Sequence, residues 1–522
     1  MPHRLLACLA AFAIVLVPLP LSAQGRGAGR TAPTEQATPP AANPSATDGA
    51  AVTADAVTRH SIEVGGKPLA YTATAGSLPL RDGEGKHLGD MFYVAYVQEG
   101  GQEGGAAAER PITFAFNGGP GAASAYLQLG AMGPRVIVFP PGGGMPASAV
   151  KLADNPDTWL PFTDLVFVDP IGTGFSRGVG SQGDIAKNFW GVRQDVNAMA
   201  AFIRLYLTRN GRMLSPKFLV GESYGGFRAA RLAKQLRNER GIALFGIVMV
   251  SPALEFSLTW ANPYDPLPWS FLLAAYSATR LAVETGDPPS SASLAETERF
   301  ALGDYLTGIV SGPKDPAAAD RLYRETARLT GLPVETVAHY RGRVPVDAFI
   351  RAAAPGEGKI ASRYDATVAG LDPYPESARP RGADPILTAS IAPFTTAFTA
   401  YARDELNYRS EQSYGLLEGE VSGHWQWREG ERGQGYAGSM EALHEARAAD
   451  PALKVMIAHG VSDMVTPYLA SRYLIDAMPP LADARPIDLK LYRGGHMMYT
   501  RPDARAALAA DAKALYEPAP PR

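Results

Sequence analysis

Gly221-Glu222-Ser223-Tyr224-Gly225 is the stretch of this sequence that gives the strongest indication of the fold. A predicted strand, residues 217–220, comes directly before it, and a segment with helical spacing follows it. A strand, a sharp turn and a helix in this order lift a serine hydroxyl above a sheet edge, where the crowded backbone needs small flanking residues. The pattern predicts that Ser223 is a nucleophile. The alternative is a glycine-rich turn that contains a serine by chance.

Short apolar runs recur on both sides of this turn, with Gly, Pro or Asp beyond most of them. Such strands, separated by helical stretches, are typical of a largely parallel sheet covered on both faces. We therefore predict an α/β-hydrolase fold with a mostly parallel central sheet. The predicted strands are residues 92–97, 112–116, 165–168, 218–220, 247–250, 455–457 and 489–492, and the covering helices are residues 193–208 and 227–240.

A helical segment interrupts the predicted sheet. Residues 271–283, 294–310 and 319–329 have helical spacing, and no convincing strand lies among them. We predict a helical cap insertion over residues 254–385. The first part of the α/β-hydrolase core is then residues 59–253, and the second part is residues 386–522.

The start of the chain has the pattern of an export signal. His3 and Arg4 precede an apolar run, residues 5–19, and Leu21-Ser22-Ala23 is a suitable cleavage site. The run is shorter than the roughly 20 apolar residues that span a bilayer. We predict a signal peptide over residues 1–23, with an uncleaved anchor as the alternative. Residues 24–58 are rich in Ala, Pro, Gly and Thr, which predicts a disordered linker.

The composition is that of a soluble globular protein and argues against some partners. Of 522 residues, 46% are hydrophobic and 19% are charged, and a net charge of −3 gives no electrostatic reason to expect nucleic acid or an anionic membrane. Cys8, the only cysteine, lies in the predicted signal peptide, so we expect no disulfide. A large exported protein without disulfides favours a bacterial envelope, periplasmic or extracellular. We expect no metal or organic cofactor, because the histidines lack further ligands at suitable spacing.

A serine nucleophile needs a base, and the base needs an orienting acid, which follow the serine as acid and then histidine in this fold. His496 lies just past the last predicted strand, and Asp463 lies in a loop after the strand at residues 455–457. His459, at the end of that strand, is the competing base, but a packed histidine is the simpler interpretation. Asp476 and Asp488 are the competing acids, and both are better explained as solvated charges.

Stabilising the oxyanion requires two backbone N–H groups. One is expected from Tyr224, the residue after the nucleophile. The other is expected from the loop Asn117-Gly118-Gly119-Pro120-Gly121, which directly follows the predicted strand at residues 112–116. The alternative for this loop is an ordinary tight turn.

Four stretches lie in a fixed order along the chain: Asn117-Gly118-Gly119-Pro120-Gly121, Val168-Asp169-Pro170-Ile171-Gly172-Thr173-Gly174-Phe175-Ser176, Gly221-Glu222-Ser223-Tyr224-Gly225-Gly226 and Gly494-Gly495-His496-Met497. Together they resemble the serine carboxypeptidase family in a bacterial-type member. The resemblance implies Ser223, Asp463 and His496 as the catalytic triad, and the amides of Gly119 and Tyr224 as the oxyanion hole.

The resemblance also implies a substrate-binding set. Asn117 and Glu222 match positions that hold the terminal carboxylate of the substrate, and Gly118 and Met497 are assigned to the same pocket. A carboxylate beside a carboxylate-binding site repels its ligand unless one of the two groups is protonated. Acidic pH is therefore expected to favour peptide binding.

Three positions depart from the family pattern. Ala115 stands where eukaryotic members commonly have Trp, and Ala122 stands where they have Cys. Ala131 replaces a second Glu that belongs to the network around the terminal carboxylate. Preference for chain ends is therefore less firmly implied than acyl hydrolysis.

The function that these patterns predict is a serine carboxypeptidase that releases C-terminal residues through an acyl-enzyme on Ser223. The expected partners are peptide or protein substrates, with no membrane span after signal cleavage; the oligomeric state is not readable from the sequence. Two alternatives remain open. One is an esterase or acyltransferase that uses the same triad, and the other is a non-catalytic binding protein of the envelope.

Overall fold

The computed structural model describes residues 54–100, 109–146, 149–259, 264–312, 315–428 and 437–517. The predicted signal peptide, residues 1–23, and most of the predicted linker lie outside the described residues. Within the described ranges, every helix is too short or too polar to cross a bilayer.

Most of the strands belong to one ten-stranded sheet. The strands are β1 (Ala56–Val64), β2 (Lys67–Arg81), β3 (His87–Gln98), β4 (Ile112–Phe116), β5 (Arg135–Ile137), β6 (Leu152–Asp154), β7 (Asp164–Val168), β8 (Arg177–Gly178), β9 (Lys217–Glu222), β10 (Gly246–Val250), β11 (Lys359–Ala361), β12 (Ala369–Leu371), β13 (Lys454–Gly460) and β14 (Ile487–Tyr492).

The order in the large sheet is β1-β2-β3-β7-β4-β9-β10-β13-β14, with β8 beside β3. Six strands of this sheet pair in parallel: β7, β4, β9, β10, β13 and β14. Strands β1, β2, β3 and β8 pair in antiparallel fashion. Strands β4, β7, β9 and β10 are buried along their whole length, as expected for strands covered on both faces. This topology is the α/β-hydrolase fold, and it confirms the predicted fold class.

Helices lie on both faces of this sheet and also form much of the segment between β10 and β13. They are α1 (Ala125–Leu127), α2 (Gln182–Phe189), α3 (Val192–Arg209), α4 (Tyr224–Arg240), α5 (Pro266–Thr285), α6 (Ser291–Phe300), α7 (Leu306–Ser311), α8 (Pro316–Thr330), α9 (Val334–His339), α10 (Val346–Ala352), α11 (Leu387–Asp404), α12 (Gly419–Gly423), α13 (Met440–Ala449), α14 (Tyr468–Ala477) and α15 (Pro502–Tyr516). Helices α3, α4 and α13 contribute to one apolar core, and α11 and α15 contribute to the other.

The N-terminal edge of the sheet differs from the sequence prediction. Strand β1 begins at Ala56, inside the predicted linker at residues 24–58, and β2 has no counterpart among the predicted strands. The reason is that β1 is an edge strand whose side chains alternate between exposed and partly buried, so it has no apolar run.

The segment between β10 and β13 also differs in one detail. It is mainly helical, but β11 and β12 form a two-stranded antiparallel sheet within the range predicted to lack strands. Each of these strands has three residues, which is too short to produce a recognisable pattern. The predicted helix at residues 294–310 is α6 and α7 joined by a π-helical turn, Ala301–Tyr305.

Candidate active site

Ser223 lies in a sharp turn between β9 and α4. Its backbone has φ 58° and ψ −122°, a conformation that residues other than glycine rarely adopt. The turn is also crowded, because a Cβ added to Gly225 would lie 2.6 Å from the carbonyl oxygen of Phe116. The Ser223 amide donates to the carbonyl of Val250 at 2.9 Å, which fixes the turn to the neighbouring strand β10.

Asp463 and His496 meet at the same edge of the sheet. Asp463 follows β13, His496 follows β14, and both side chains are buried. His496 Nδ1 lies 2.8 Å from Asp463 Oδ2, while Asp463 Oδ1 accepts from the amides of Val465 at 2.7 Å and Thr466 at 3.0 Å. The acid therefore orients the imidazole and leaves Nε2 for a nucleophile. Among the described residues, no hydrogen bond joins that nitrogen to Ser223 Oγ.

Ser251 connects the loop of His496 to the turn that holds Ser223. Its hydroxyl donates to the carbonyl of His496 at 2.9 Å, and its amide donates to the carbonyl of Ala458 at 2.7 Å. Ser251 directly follows Val250, whose carbonyl accepts from the Ser223 amide. Hydrogen bonds at the end of β10 thus tie the loop of the base to the nucleophile turn.

His496 remains basic although it is buried. Burial alone would lower its pKa, but the charge and hydrogen bond of Asp463 and the charge of Glu222 leave the pKa above its ordinary value. His459 has a different environment. Burial lowers the pKa of His459 to about 4, and its Nε2 lies 2.8 Å from Ser471 Oγ.

Thr466 is part of this arrangement, and the sequence did not identify it. Its hydroxyl oxygen lies 2.7 Å from Asp463 Oδ2, 3.0 Å from His496 Nδ1 and 3.0 Å from the carbonyl of Ser251. It therefore limits rotation of both the carboxylate and the imidazole. Its position three residues after Asp463 was a weak signal, because hydroxyl residues are common in loops.

The glycine loop after β4 packs directly on the nucleophile turn. A Cβ on Gly118 would lie 2.4 Å from the amide nitrogen of Tyr224 and 2.7 Å from the carbonyl oxygen of Glu222. Gly119 has φ +99°, a conformation that L side chains rarely adopt. The two residues with candidate oxyanion amides, Gly119 and Tyr224, therefore lie in two segments that are in backbone contact.

Asn117 and Glu222 are hydrogen-bonded to each other in a buried position. Asn117 Nδ2 donates to Glu222 Oε2 at 2.5 Å, and Asn117 Oδ1 accepts from the amide of Leu127 at 3.1 Å. The hydroxyl of Tyr499, which the sequence did not identify, donates to the same oxygen of Glu222 at 2.8 Å.

The buried position of Glu222 changes its protonation. Burial raises the pKa of Glu222 to about 7, although the charge of His496 and hydrogen bonds from Tyr499 and Asn117 offset part of the effect of burial. The charge of Asp463 raises the pKa further. A carboxyl group with this pKa changes its charge near neutral pH.

A buried ion pair supports the loop at Asn117. Arg228, on α4, donates through Nε to Asp195 Oδ2 at 2.7 Å and through Nη1 to the carbonyl of Asn117 at 2.7 Å. Its guanidinium lies 5.2 Å from the ring centroids of both Phe116 and Tyr224. Sequence analysis missed this pair because arginine on a helix usually indicates an exposed face.

Part of the inserted segment contacts both triad loops. The carbonyl of Tyr364 accepts from the amide of His496 at 2.5 Å, and the carbonyl of Arg363 accepts from the amide of Met464 at 3.1 Å. The ring of Tyr364 lies edge-on to His496, with centroids 5.3 Å apart. Two consecutive carbonyls therefore hold the loop of the acid and the loop of the base.

Asp169 belongs to the stretch 168–176 and forms hydrogen bonds that hold neighbouring loops together. It is buried, and Oδ1 accepts from the amide of Ser124 at 2.8 Å and from its hydroxyl at 2.7 Å. The hydroxyl of Ser176 donates to the carbonyl of Asp169 at 2.6 Å. This motif therefore braces the loop that follows the glycine stretch.

Two further predicted positions are buried. Met497 packs in the core with the residues around α11 and α15, and Ala131 lies in a π-helical turn, Gln128–Met132. The side chain of Asn155 donates to the carbonyl of Ala131 at 2.9 Å. Within the described ranges, no three His, Cys, Asp or Glu side chains are grouped to hold a metal ion.

Comparison with known proteins finds a family model that is similar to part of the chain. Residues 66–255 match the family model of the serine carboxypeptidases. The matched part contains the glycine loop and the nucleophile turn, and it ends before Asp463.

The curated relatives cover a similar part. The pheromone-processing carboxypeptidase KEX1 of Yarrowia lipolytica is 29% identical over 189 residues, which are 34% of this chain and 26% of that protein. Serine carboxypeptidase-like 51 of Arabidopsis thaliana is 29% identical over 162 residues, which are 29% of this chain and 32% of that protein. The chain thus spans about a third or less of the length of these relatives.

Solved structures are similar over more of the chain but at low identity. A proline iminopeptidase of Mycobacterium smegmatis is 13% identical, with a TM-score of 0.36, and covers 85% of this chain and 98% of its own. A monoacylglycerol lipase of Paleococcus ferrophilus is 14% identical, with a TM-score of 0.29, and covers 78% of this chain and 96% of its own.

The Asp463–His496 pair predicts a large effect on turnover. Asp463→Asn should lower kcat for a chromogenic ester by about 10,000-fold, because the amide stabilises the wrong imidazole tautomer. Asp476→Asn is the matched control, since Asp476 is exposed, and its kcat should match the wild type. Loss of less than about tenfold in Asp463→Asn would contradict the assignment of the acid.

The Arg228–Asp195 pair predicts an effect on stability. Arg228→Met should lower the free energy of unfolding, measured with urea, by about 3 kcal/mol, because it leaves the buried Asp195 unpaired. Arg237→Met, on the same helix but in a half-exposed pair with Asp450, should cost about 0.5 kcal/mol or less. Equal decreases in the free energy of unfolding of the two variants would show that the buried pair stabilises the fold no more than the half-exposed pair.

Proposed function

We propose that the protein is a serine carboxypeptidase that releases C-terminal residues from peptides through an acyl-enzyme on Ser223. The observation that carries this proposal is the buried Asn117–Glu222 pair directly beside the nucleophile. An amide and a carboxyl group in this position suit a ligand that ends in a carboxylate. The family match over residues 66–255 supports the same activity.

The reaction follows from the roles of the triad. The Ser223 hydroxyl attacks the carbonyl carbon of the last peptide bond while Nε2 of His496 takes its proton. The amides of Gly119 and Tyr224 stabilise the oxyanion, and His496 then gives the proton to the departing amine. Water hydrolyses the resulting ester by the same route, and Asp463 holds the imidazole in the productive orientation throughout.

Glu222 makes recognition of the chain end dependent on pH. Below a pKa of about 7 the group is neutral and can donate a hydrogen bond to the substrate carboxylate, whereas above it two negative charges face each other. An ester without a free carboxylate does not experience this repulsion. Dividing the kcat/KM of a peptide by that of such an ester removes the common dependence on His496.

An esterase or acyltransferase with the same triad is the second candidate. The observation that favours it is Ala131, a buried alanine where the family resemblance implies a second carboxyl group near the terminal carboxylate. This candidate requires ester turnover without release of C-terminal residues.

The test uses blocked dipeptides with a free C-terminus and the corresponding esters, between roughly pH 4 and 8. The peptide-to-ester ratio of kcat/KM should fall as pH rises through about 7, the pKa of Glu222. Glu222→Gln should abolish this fall, because the amide stays neutral. It should also move the acidic limb of ester hydrolysis to lower pH, because the Glu222 charge raises the pKa of His496.

Glu255→Gln is the matched control for this experiment. Burial also raises the pKa of Glu255, but its carboxylate accepts from the amides of Ser439 and Met440, outside the site. Its peptide-to-ester ratio should follow the wild type. Intact ester hydrolysis with no release of C-terminal residues at any pH would reject the carboxypeptidase in favour of the esterase.

We also infer that the protein is a bacterial-type member exported to the cell envelope, which rests on the signal pattern in residues 1–23. Cleavage after Ala23 leaves Gln24 as the first residue. N-terminal sequencing of protein from the envelope fraction should therefore begin at Gln24. Full-length protein that stays in the membrane fraction would indicate an uncleaved anchor.

A further inference from the structure

Tyr499 contacts the carboxyl group that the proposed function assigns to recognition of the chain end. Its hydroxyl donates to Glu222 Oε2 at 2.8 Å, and the side chain is fully buried. Tyr499 lies three residues after His496, in a short 3-10 helix, Met498–Thr500. The same backbone segment therefore carries the base and a donor to Glu222.

The ring of Tyr499 is held in place by close packing. A Cβ added to Gly130 would lie 2.7 Å from Cε2 of Tyr499 and 3.4 Å from the ring of Phe394. Gly130 is adjacent to Ala131, the position at which the family resemblance implies a second carboxyl group. The tyrosine thus brings a hydroxyl donor to Glu222 beside the position where that carboxyl group is missing.

The hydrogen bonds to Glu222 are unequal between its two oxygens. Oε2 accepts from both Asn117 and Tyr499, while Oε1 accepts from none of the described residues. Two donors keep Oε2 an acceptor, so the proton of the neutral acid lies on Oε1. The charged and titratable groups that act on Glu222 are His496, Asp463, Tyr126 and Tyr499.

We propose that Tyr499 is a specificity-determining residue that fixes Glu222 so that Oε1 presents its proton to the C-terminal carboxylate of a peptide. The proposal rests on the proposed function, since it assigns Tyr499 to the same recognition step. Tyr499 acts through Glu222 and has no part in proton transfer at the triad. Its removal therefore affects substrates with a free carboxylate more strongly than blocked substrates.

The test is Tyr499→Phe, which keeps the ring and removes the donor. At pH 5, KM for a blocked dipeptide with a free C-terminus should rise about tenfold or more, while kcat changes by less than about threefold. The fall of the peptide-to-ester ratio should move to higher pH, because the Tyr499 hydrogen bond lowers the pKa of Glu222. Loss of a purely structural contact would not change the pH at which the peptide-to-ester ratio falls.

Two further variants keep the test decisive. Tyr305→Phe removes another buried hydroxyl, which lies in the π-helical turn of the inserted segment and donates to the carbonyl of Gly342 at 2.7 Å, and should leave KM unchanged. Gly130→Ala keeps the hydroxyl of Tyr499 but displaces its ring. This variant should also raise KM, by a smaller factor than Tyr499→Phe. Thermal melting of each variant separates these effects from loss of folding.

The outcomes distinguish this proposal from the proposed function. Wild-type protein that hydrolyses esters but releases no C-terminal residue rejects the proposed function and, with it, the role of Tyr499. Wild-type protein that releases residues, together with unchanged KM and pH dependence in Tyr499→Phe, rejects the role of Tyr499 alone. Equal losses on peptide and ester would also overturn it, because they indicate a structural role.

Discussion

Backbone crowding at the end of β9 is the constraint on which the rest of the site depends. A Cβ on Gly221 would lie 2.0 Å from the carbonyl oxygen of Gly225, and one on Gly118 would lie 2.4 Å from the amide of Tyr224. These contacts set the spacing between the nucleophile turn and the glycine loop through main-chain atoms. Because main-chain geometry varies little, the position of Ser223 does not depend on side-chain rotamers. Arg228, which is paired with the buried Asp195, then holds the glycine loop through a hydrogen bond to the carbonyl of Asn117.

Electrostatic coupling joins the Asp463–His496 pair to Glu222. His496 and Glu222 are both buried, and the charge of each group shifts the pKa of the other. Asp463 acts on both, since it raises the pKa of His496 and adds to the raised pKa of Glu222. Protons on these groups therefore titrate as a coupled set, and no single pKa describes their titration.

Sequence reasoning predicted the position of residues that lie next to a strong local pattern. Ser223, Asp463 and His496 each follow an apolar strand, so their common sheet edge was predictable from topology. Strand β1 was missed because an edge strand exposes alternate residues and leaves no apolar run. Tyr499 and Arg228 were missed because each contributes to the site through a hydrogen bond to a residue that is distant in sequence. Tyr499 and Glu222 are 277 residues apart, and no local spacing indicates such a pair.

The carbonyls of Arg363 and Tyr364 tie the segment between β10 and β13 to the loops that carry Asp463 and His496. Many enzymes of this architecture can be regarded as a constant sheet with exchangeable covers. In this chain the cover cannot be exchanged freely, because any replacement must supply two successive acceptors to Met464 and His496. The Arg501–Asp365 ion pair, with both side chains buried, anchors the short stretch that must stay constant.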